Sequence, residues 1–90
     1  MAVEVRIPTI LRPYTGGEKL VTASGDSLQA VVADLDANYP GIGERLLDHS
    51  GLRRFVNVYL NDEDVRFLSG LATTVSDGDF ITILPAVAGG

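Results

Sequence analysis

Between Val3 and Ile7 apolar residues alternate with Glu4 and Arg6, the period of two that gives a strand one buried and one open face. A first strand is predicted there. Pro8 and Pro13 interrupt the run, and Thr15-Gly16-Gly17 supplies the permissive backbone that a reversal needs. Glu18 to Ala23 is then the second strand of a hairpin with a long turn. Beyond it Leu28, Val31, Val32 and Leu35 recur at i, i+3, i+4 and i+7, one face of a helix. Ser24-Gly25-Asp26-Ser27 offers capping side chains at its start. Tyr39-Pro40-Gly41 stops it, because proline restricts the residue before it and glycine leaves the helical basin cheaply. Asp34 and Asp36 fall on its outer side.

Ile42, Leu46 and Leu47 are spaced for one short helical turn, and Asp48-His49-Ser50-Gly51 reads as an exposed loop. Phe55-Val56-Asn57-Val58-Tyr59-Leu60 is rich in β-branched and aromatic residues and is predicted to be a central strand. Asn61-Asp62-Glu63-Asp64 turns the chain into a short extended piece from Val65 to Phe67. A linker through Ser69-Gly70 leads to the turn Ser76-Asp77-Gly78-Asp79, and Phe80-Ile81-Thr82-Ile83-Leu84 forms the last strand, ended by Pro85. The order is ββαββ with one more strand. Its only long helix must cover one face of a mixed sheet of about five strands. The expected class is α+β, with the β-grasp arrangement and the first and last strands side by side and parallel. Residues 1–85 make the domain and 86–90 a flexible tail, because Ala86 to Gly90 have little side-chain area to offset about 1–2 kcal/mol of backbone ordering per residue.

With 90 residues, 46% of them hydrophobic, the chain makes one small domain that buries only about 60–65% of its unfolded surface. Little remains for an enzyme cleft of its own, so the chain is not expected to be an enzyme. Twelve acidic against seven basic residues give a net charge of −5, which opposes phosphate neutralisation and argues against nucleic acid as a partner. The absence of cysteine excludes disulfides, thiolate catalysis, Fe–S ligation and Cys-zinc sites. The start Met1-Ala2-Val3-Glu4-Val5-Arg6 does not resemble a signal peptide and no apolar run approaches a membrane span. A cytoplasmic protein without a membrane partner is the expectation.

Most chemistry-bearing residues have a plain reading. His49, the single histidine, lacks the orienting acid and pocket that a general base needs. The acidic turn Asn61-Asp62-Glu63-Asp64 lacks the glycine and distant bidentate glutamate of a calcium loop, so no metal site is expected. Arg53-Arg54 has no interleaved glycines or aromatics and makes a poor anion site, serving as surface or as part of a partner interface. Gly16-Gly17 has no Lys-Ser/Thr pair at the phosphate-loop spacing and reads as a turn.

The end of the sequence differs. Leu84-Pro85-Ala86-Val87-Ala88-Gly89-Gly90 follows a strand, carries only small or apolar side chains and finishes on two glycines. Extended from Pro85, such a tail reaches about 17 Å, far enough to enter another protein's cleft, and its glycines have no Cβ to widen the channel. The α-carboxylate of Gly90, with a reference pKa of about 3.3–3.7, is ionised near neutral pH and unreactive as an acyl donor until a partner activates it. A partner using ATP can convert it to an acyl-adenylate, from which sulfur or an amine displaces AMP.

At these residues the chain resembles the ubiquitin-like sulfur-carrier family, the ThiS/MoaD group. The resemblance rests on the ββαββ order, the segment Val58-Tyr59-Leu60-Asn61-Asp62-Glu63-Asp64-Val65, the Ser76-Asp77-Gly78-Asp79 turn and the Gly89-Gly90 end. Ile7-Pro8-Thr9-Ile10-Leu11-Arg12-Pro13-Tyr14-Thr15-Gly16-Gly17, with Ile83 to Gly90, is similar to the actinobacterial branch that serves cysteine biosynthesis. The resemblance implies that Gly90 carries the adenylate and then a thiocarboxylate. Ala86, Val87, Ala88 and Gly89 would thread into partner active sites, with Leu84 and Val87 on the partner surface. It implies an E1-like adenylating and sulfur-transferring enzyme as one partner. A sulfur-accepting enzyme is the other, either a pyridoxal-phosphate cysteine synthase or a thiazole-synthase-like sulfur-insertion enzyme. The carrier binds no cofactor itself, and ATP is used by the activating partner. Supply to thiamin, molybdopterin or sulfur-containing natural products, a ubiquitin-like modifier and a plain interaction module remain alternatives. Lys19, the single lysine, leaves few sites for building modifier chains.

Overall fold

The computed structural model describes residues 2–54 and 56–85. Phe55 and the tail residues Ala86, Val87, Ala88, Gly89 and Gly90, with the expectations attached to them, lie outside the described residues. The alternation at the start produces strand β1 (Ala2–Arg6), which buries Val3 and Val5 and opens Glu4 and Arg6 to solvent. Strand β2 (Leu20–Ser24) repeats the pattern with Val21 and Ala23 inward and pairs antiparallel to β1. Helix α1 (Leu28–Asn38) buries the expected Leu28, Val31, Val32 and Leu35. Its N-cap is Ser27, whose hydroxyl accepts from the Ala30 amide at 3.2 Å, which satisfies one of the amides that a helix start leaves unpaired. Gly25 precedes that cap at close quarters, because a Cβ there would meet the Val31 backbone nitrogen at 2.7 Å.

Helix α2 (Ile42–Leu46) follows the expected single turn. Asp36 is more than an outward-facing charge: its Oδ1 accepts from the amides of Gly41 and Gly43 and ties the two helices together. Asp34 likewise binds the Ser24 amide at 2.9 Å. The last strands are β5 (Val56–Leu60), β6 (Glu63–Asp64) and β7 (Phe80–Pro85). The five-stranded sheet runs β2-β1-β7-β5-β6, with β1 and β7 parallel and the other pairs antiparallel. The inward residues of these strands, among them Val58, Ile81 and Ile83, form one core with the apolar face of α1, each large aliphatic contributing about 1.5–3 kcal/mol.

Four details depart from the sequence expectations. The stretch read as a plain long turn contains a seven-residue 3-10 helix, Thr9–Thr15, with Leu11 and Thr15 buried. Pro8 stands before it, and Pro13 lies inside it, where its ring fits the helical φ while its missing N–H leaves one 3-10 bond unmade. The Asp48–Gly51 loop is the bend of a two-residue hairpin, β3 (Leu47–Asp48) and β4 (Gly51–Leu52). Val65–Phe67 is a 3-10 turn rather than an extended piece, because Asp64 Oδ1 accepts from the Arg66 amide and curls the chain. The central strand is β7, not β5. Long-range pairing decides which strand takes that place.

Candidate functional site

The residue that hands the chain over to its tail is Pro85, the last of β7. It sits in register with Val56, the first of β5. Because β7 runs parallel to β1 and antiparallel to β5, the chain leaves the sheet at the end where Arg6, Leu20 and Val56 lie. Leu84, expected on a partner surface, is 43% exposed there. Val87, its expected companion, lies outside the described residues, as do Gly90 and the threading residues.

Next to Pro85 lies a groove of about 480 Å³ whose walls include Ile10, Pro13, Tyr14, Arg45, Leu84 and Pro85. Four segments distant in sequence build it, the fourth being Val56 at the start of β5. The 3-10 helix brings Ile10, which is 69% exposed, and Tyr14. Tyr14 lies against Gly41, where a Cβ would stand 2.9 Å from the ring and φ is +101°, so glycine is required there on both grounds. Helix α2, anchored by fully buried Ile42 and Leu46, carries Arg45. Arg45 Nε donates to Tyr14 Oη at 2.6 Å, and its guanidinium carbon stands 5.8 Å from the Tyr14 ring centroid, within cation–π range. The Tyr14 hydrogen bond holds the guanidinium further toward its charged form. Arginine is protonated at every working pH in any case.

Arg66 fixes the same end of the sheet from the other side. Its guanidinium donates to the carbonyls of Arg53 and Val56 and to Asn57 Oδ1, clamping the start of β5 where it pairs with Pro85. Arg53, offered above as surface or interface, uses Nε to bind the Glu44 carbonyl at 2.7 Å. The remaining sequence candidates stand elsewhere. His49 is exposed in the β3–β4 bend. In the acidic turn, Asn61 adopts φ +57° and Asp64 caps a 3-10 turn. No group of three or more His, Asp or Glu able to hold a metal occurs among the described residues, and no helix among them is long and apolar enough to cross a membrane. Gly16 and Gly17, at φ +65° and +89°, close the first 3-10 helix as a turn.

The arrangement has an apolar hollow and a positioned cation beside a departing strand, and no set of acid, base and nucleophile meets there among the described residues. What it can do is present a chain end. The ThiS family profile matches residues 5–90. The chain belongs to the ThiS family. Among its relatives, the sulfur carrier protein CysO of Mycobacterium tuberculosis is 68% identical, with all of both chains covered. The small archaeal modifier protein 3 of Haloferax volcanii is 33% identical, again over all of both chains. Among solved structures, Mycobacterium tuberculosis CysO superposes with a TM-score of 0.91 at 67% identity, covering 94% of this chain and 99% of that one. CysO in the BexX/CysO complex of Amycolatopsis orientalis gives 0.93 at 56% identity, covering 98% and 99%. The β-grasp fold expected from the sequence is therefore the fold of this ThiS-family chain.

Sequence reasoning singled out the Gly-Gly end, which lies outside the described residues, and missed the groove. Tyr14 and Arg45 are 31 positions apart, and no local pattern announces such a pair. The one available signal was Ile10, an aliphatic residue in a segment broken by prolines.

Proposed function

We propose that the chain is a sulfur carrier whose Gly90 carboxylate is adenylated and then converted to a thiocarboxylate that serves cysteine biosynthesis. The observation that carries this reading is that the family match runs through residue 90, so the Gly89-Gly90 end belongs to the matched region. Residues 1–85 act as the handle, and 86–90 thread into partners. In an E1-like enzyme a carboxylate oxygen of Gly90 attacks the α-phosphorus of ATP and pyrophosphate leaves. Sulfide then attacks the acyl carbon, the bond to AMP breaks, and the thiocarboxylate remains after loss of a proton. Adenylation turns a poor leaving oxygen into a good one, which is what the resting carboxylate lacks. The chain is consumed and regenerated as a co-substrate. It needs no cofactor of its own, and ATP belongs to the activating partner.

The acceptor is a pyridoxal-phosphate cysteine synthase, in keeping with the resemblance to the branch that serves cysteine biosynthesis and with 68% identity to the sulfur carrier protein CysO. The BexX/CysO complex supports a partner protein that docks on such a carrier, and a thiazole-synthase-like sulfur-insertion enzyme is the further class of acceptor. A second reading, conjugation of Gly90 to amines as a modifier, is favoured by the 33% identity to an archaeal modifier protein. The test is intact-mass spectrometry after incubation with an adenylating partner, ATP and sulfide. The carrier reading expects a gain equal to the exchange of one oxygen for sulfur, located on Gly90 by fragmentation. Adenylation without that gain, but with conjugates to lysine, would establish the modifier reading instead. No adenylation by any ThiS-family activating enzyme would remove both.

A further inference from the structure

We propose that the groove beside Pro85 is a docking surface for the activating enzyme, and that it receives an apolar ridge of that enzyme ending in a carboxylate. The proposal rests on the sulfur-carrier reading and names the surface and the chemistry by which the domain is held while Gly90 reacts.

Five residues separate Pro85 from the end of Gly90, and extended they span at most about 17 Å. An enzyme that holds the Gly90 carboxylate must therefore bring its own surface to the end of the sheet from which Pro85 departs. The groove opens at that point. Ile10, 69% exposed, and Leu84, 43% exposed, stand on its walls together with Pro13 of the 3-10 helix. Large aliphatic side chains left in water around a concavity mark a surface that gains by being covered.

Charge defines the ridge further. The protein as a whole is at −5, yet among the described residues lining the groove the one charged side chain is a cation, Arg45. Its Nε is held by Tyr14. Among the described residues its two terminal nitrogens have no hydrogen-bond or ion-pair partner. A guanidinium fixed at one edge with the other edge open is arranged to take a carboxylate in a two-pronged grip. The opposite end of the sheet carries Asp77 and Asp79, which are occupied by the backbone amides of Ala2 and Ser76. Strand β7, six residues long, spans about 20 Å from that turn to Pro85. Two Debye lengths of about 8 Å at physiological salt lie within that span, so a carboxylate approaching Arg45 is scarcely repelled by the acidic end.

The test uses steady-state adenylation, read as pyrophosphate release, by the purified activating enzyme that loads the wild-type chain in the mass assay above. Arg45→Glu is expected to raise the KM for the carrier about tenfold or more while kcat stays within about twofold, because the change removes docking and leaves the tail chemistry alone. Ile10→Asp should do the same, and Arg45→Lys should fall between, since an ammonium keeps the charge and loses the fork. The KM of the wild type should rise with salt. Lys19→Glu is the control of equal charge change at an exposed residue that does not line the groove, and its KM should stay within about twofold of wild type. Thermal unfolding of each variant checks the fold, and both groove positions are exposed.

Unchanged KM in Arg45→Glu and Ile10→Asp, with the wild type fully loaded, would overturn the proposal and leave the carrier function standing. An equal rise in Lys19→Glu would also overturn it, by assigning the effect to net charge. A wild-type dimer in sedimentation that Ile10→Asp dissociates, with KM unmoved, would give the groove to a second copy of the chain. Failure of the wild type to be loaded at all strikes the functional reading itself.

Discussion

The two ends of the sheet use their polar groups in opposite ways. At the end away from Pro85, the turn from Ser76 to Asp79 satisfies its polar groups internally. Asp77 Oδ1 accepts from the Ala2 amide, Asp79 Oδ2 accepts from the Ser76 amide, and the Gly78 amide donates to the Ala2 carbonyl. Asn61 joins by exchanging bonds with Phe80, its side-chain oxygen accepting from the Phe80 amide and its own amide donating to the Phe80 carbonyl. The turn closes β1 and β7 into their parallel register. At the Pro85 end the backbone is also pinned, by Arg66 on β5 and Asp36 on α2, but Ile10, Leu84 and the outer edge of Arg45 are left facing water. One end spends its side chains on the fold. The other pins its backbone by a few long-range bonds and keeps side chains available for another molecule, as the proposed role of a handle requires.

If that division is real, changes at one end should touch loading without stability and changes at the other should do the reverse. The largest effect is expected from a single alanine added after Gly90. It leaves the domain untouched, so stability should stay within about 0.5 kcal/mol. It moves the carboxylate a full residue along the tail and sets a Cβ beside it. Reacting atoms must be held within about 3–3.5 Å, and a displacement of about 1 Å already slows reaction about a hundredfold, so thiocarboxylate formation should fall by about a hundredfold or more. Wild-type rates in the mass assay would show that the chemistry is not centred on Gly90. The reverse case is Asp79→Ala, which loses the bond to the Ser76 amide at 2.8 Å and a longer one to Asn61 at 3.4 Å. Asp79 is not fully buried, so water can replace part of what is lost, and a drop of about 1 kcal/mol in unfolding free energy is expected. Loading at a temperature where the protein stays folded should not change. A loading defect there would erase the distinction between the ends.

The parts of this protein that sequence revealed are those written in short repeats. Alternation marked Val3 and Val5 and the stripe marked Leu28, Val31, Val32 and Leu35, because burial on one face imposes a period on neighbouring residues. All six are core residues. Order across the sheet was legible in part. The parallel pairing of the first and last strands was expected and is present between β1 and β7, but the β-branched and aromatic run of β5 pointed to that strand for the centre, which β7 takes. Pro8 and Pro13 carry an ordinary breaker signal, which hid a 3-10 helix whose Leu11 is buried by tertiary contact. The Asp64 cap and the Arg66 clamp were hidden for a related reason: each is one side chain meeting backbone groups, with no pattern to repeat. The functional end divides in the same way. Gly89-Gly90 is a local motif, whereas the groove exists only once Ile10, Arg45 and Leu84 are brought together by folding.

The smallest expected effect tests how far the groove depends on being held in advance. Tyr14→Phe removes the hydroxyl that accepts from Arg45 Nε at 2.6 Å and keeps the ring against Gly41 and beneath the guanidinium. Arg45 is exposed, so water replaces the lost acceptor and stability should change by no more than about 0.5 kcal/mol. Arg45 keeps its charge and can still meet a carboxylate, but its fork is no longer fixed and some side-chain freedom must be surrendered on docking. Ordering a long side chain at an interface costs about 0.5–1.5 kcal/mol, of which the ring contact still supplies a part in advance. The KM for adenylation should therefore rise about twofold to threefold, well short of the change in Arg45→Glu, with kcat unaltered. Combining the two substitutions should add nothing to Arg45→Glu alone, since Tyr14 acts on docking through Arg45. A Tyr14→Phe effect that persists undiminished in the Arg45→Glu background would mean that the tyrosine hydroxyl meets the partner itself.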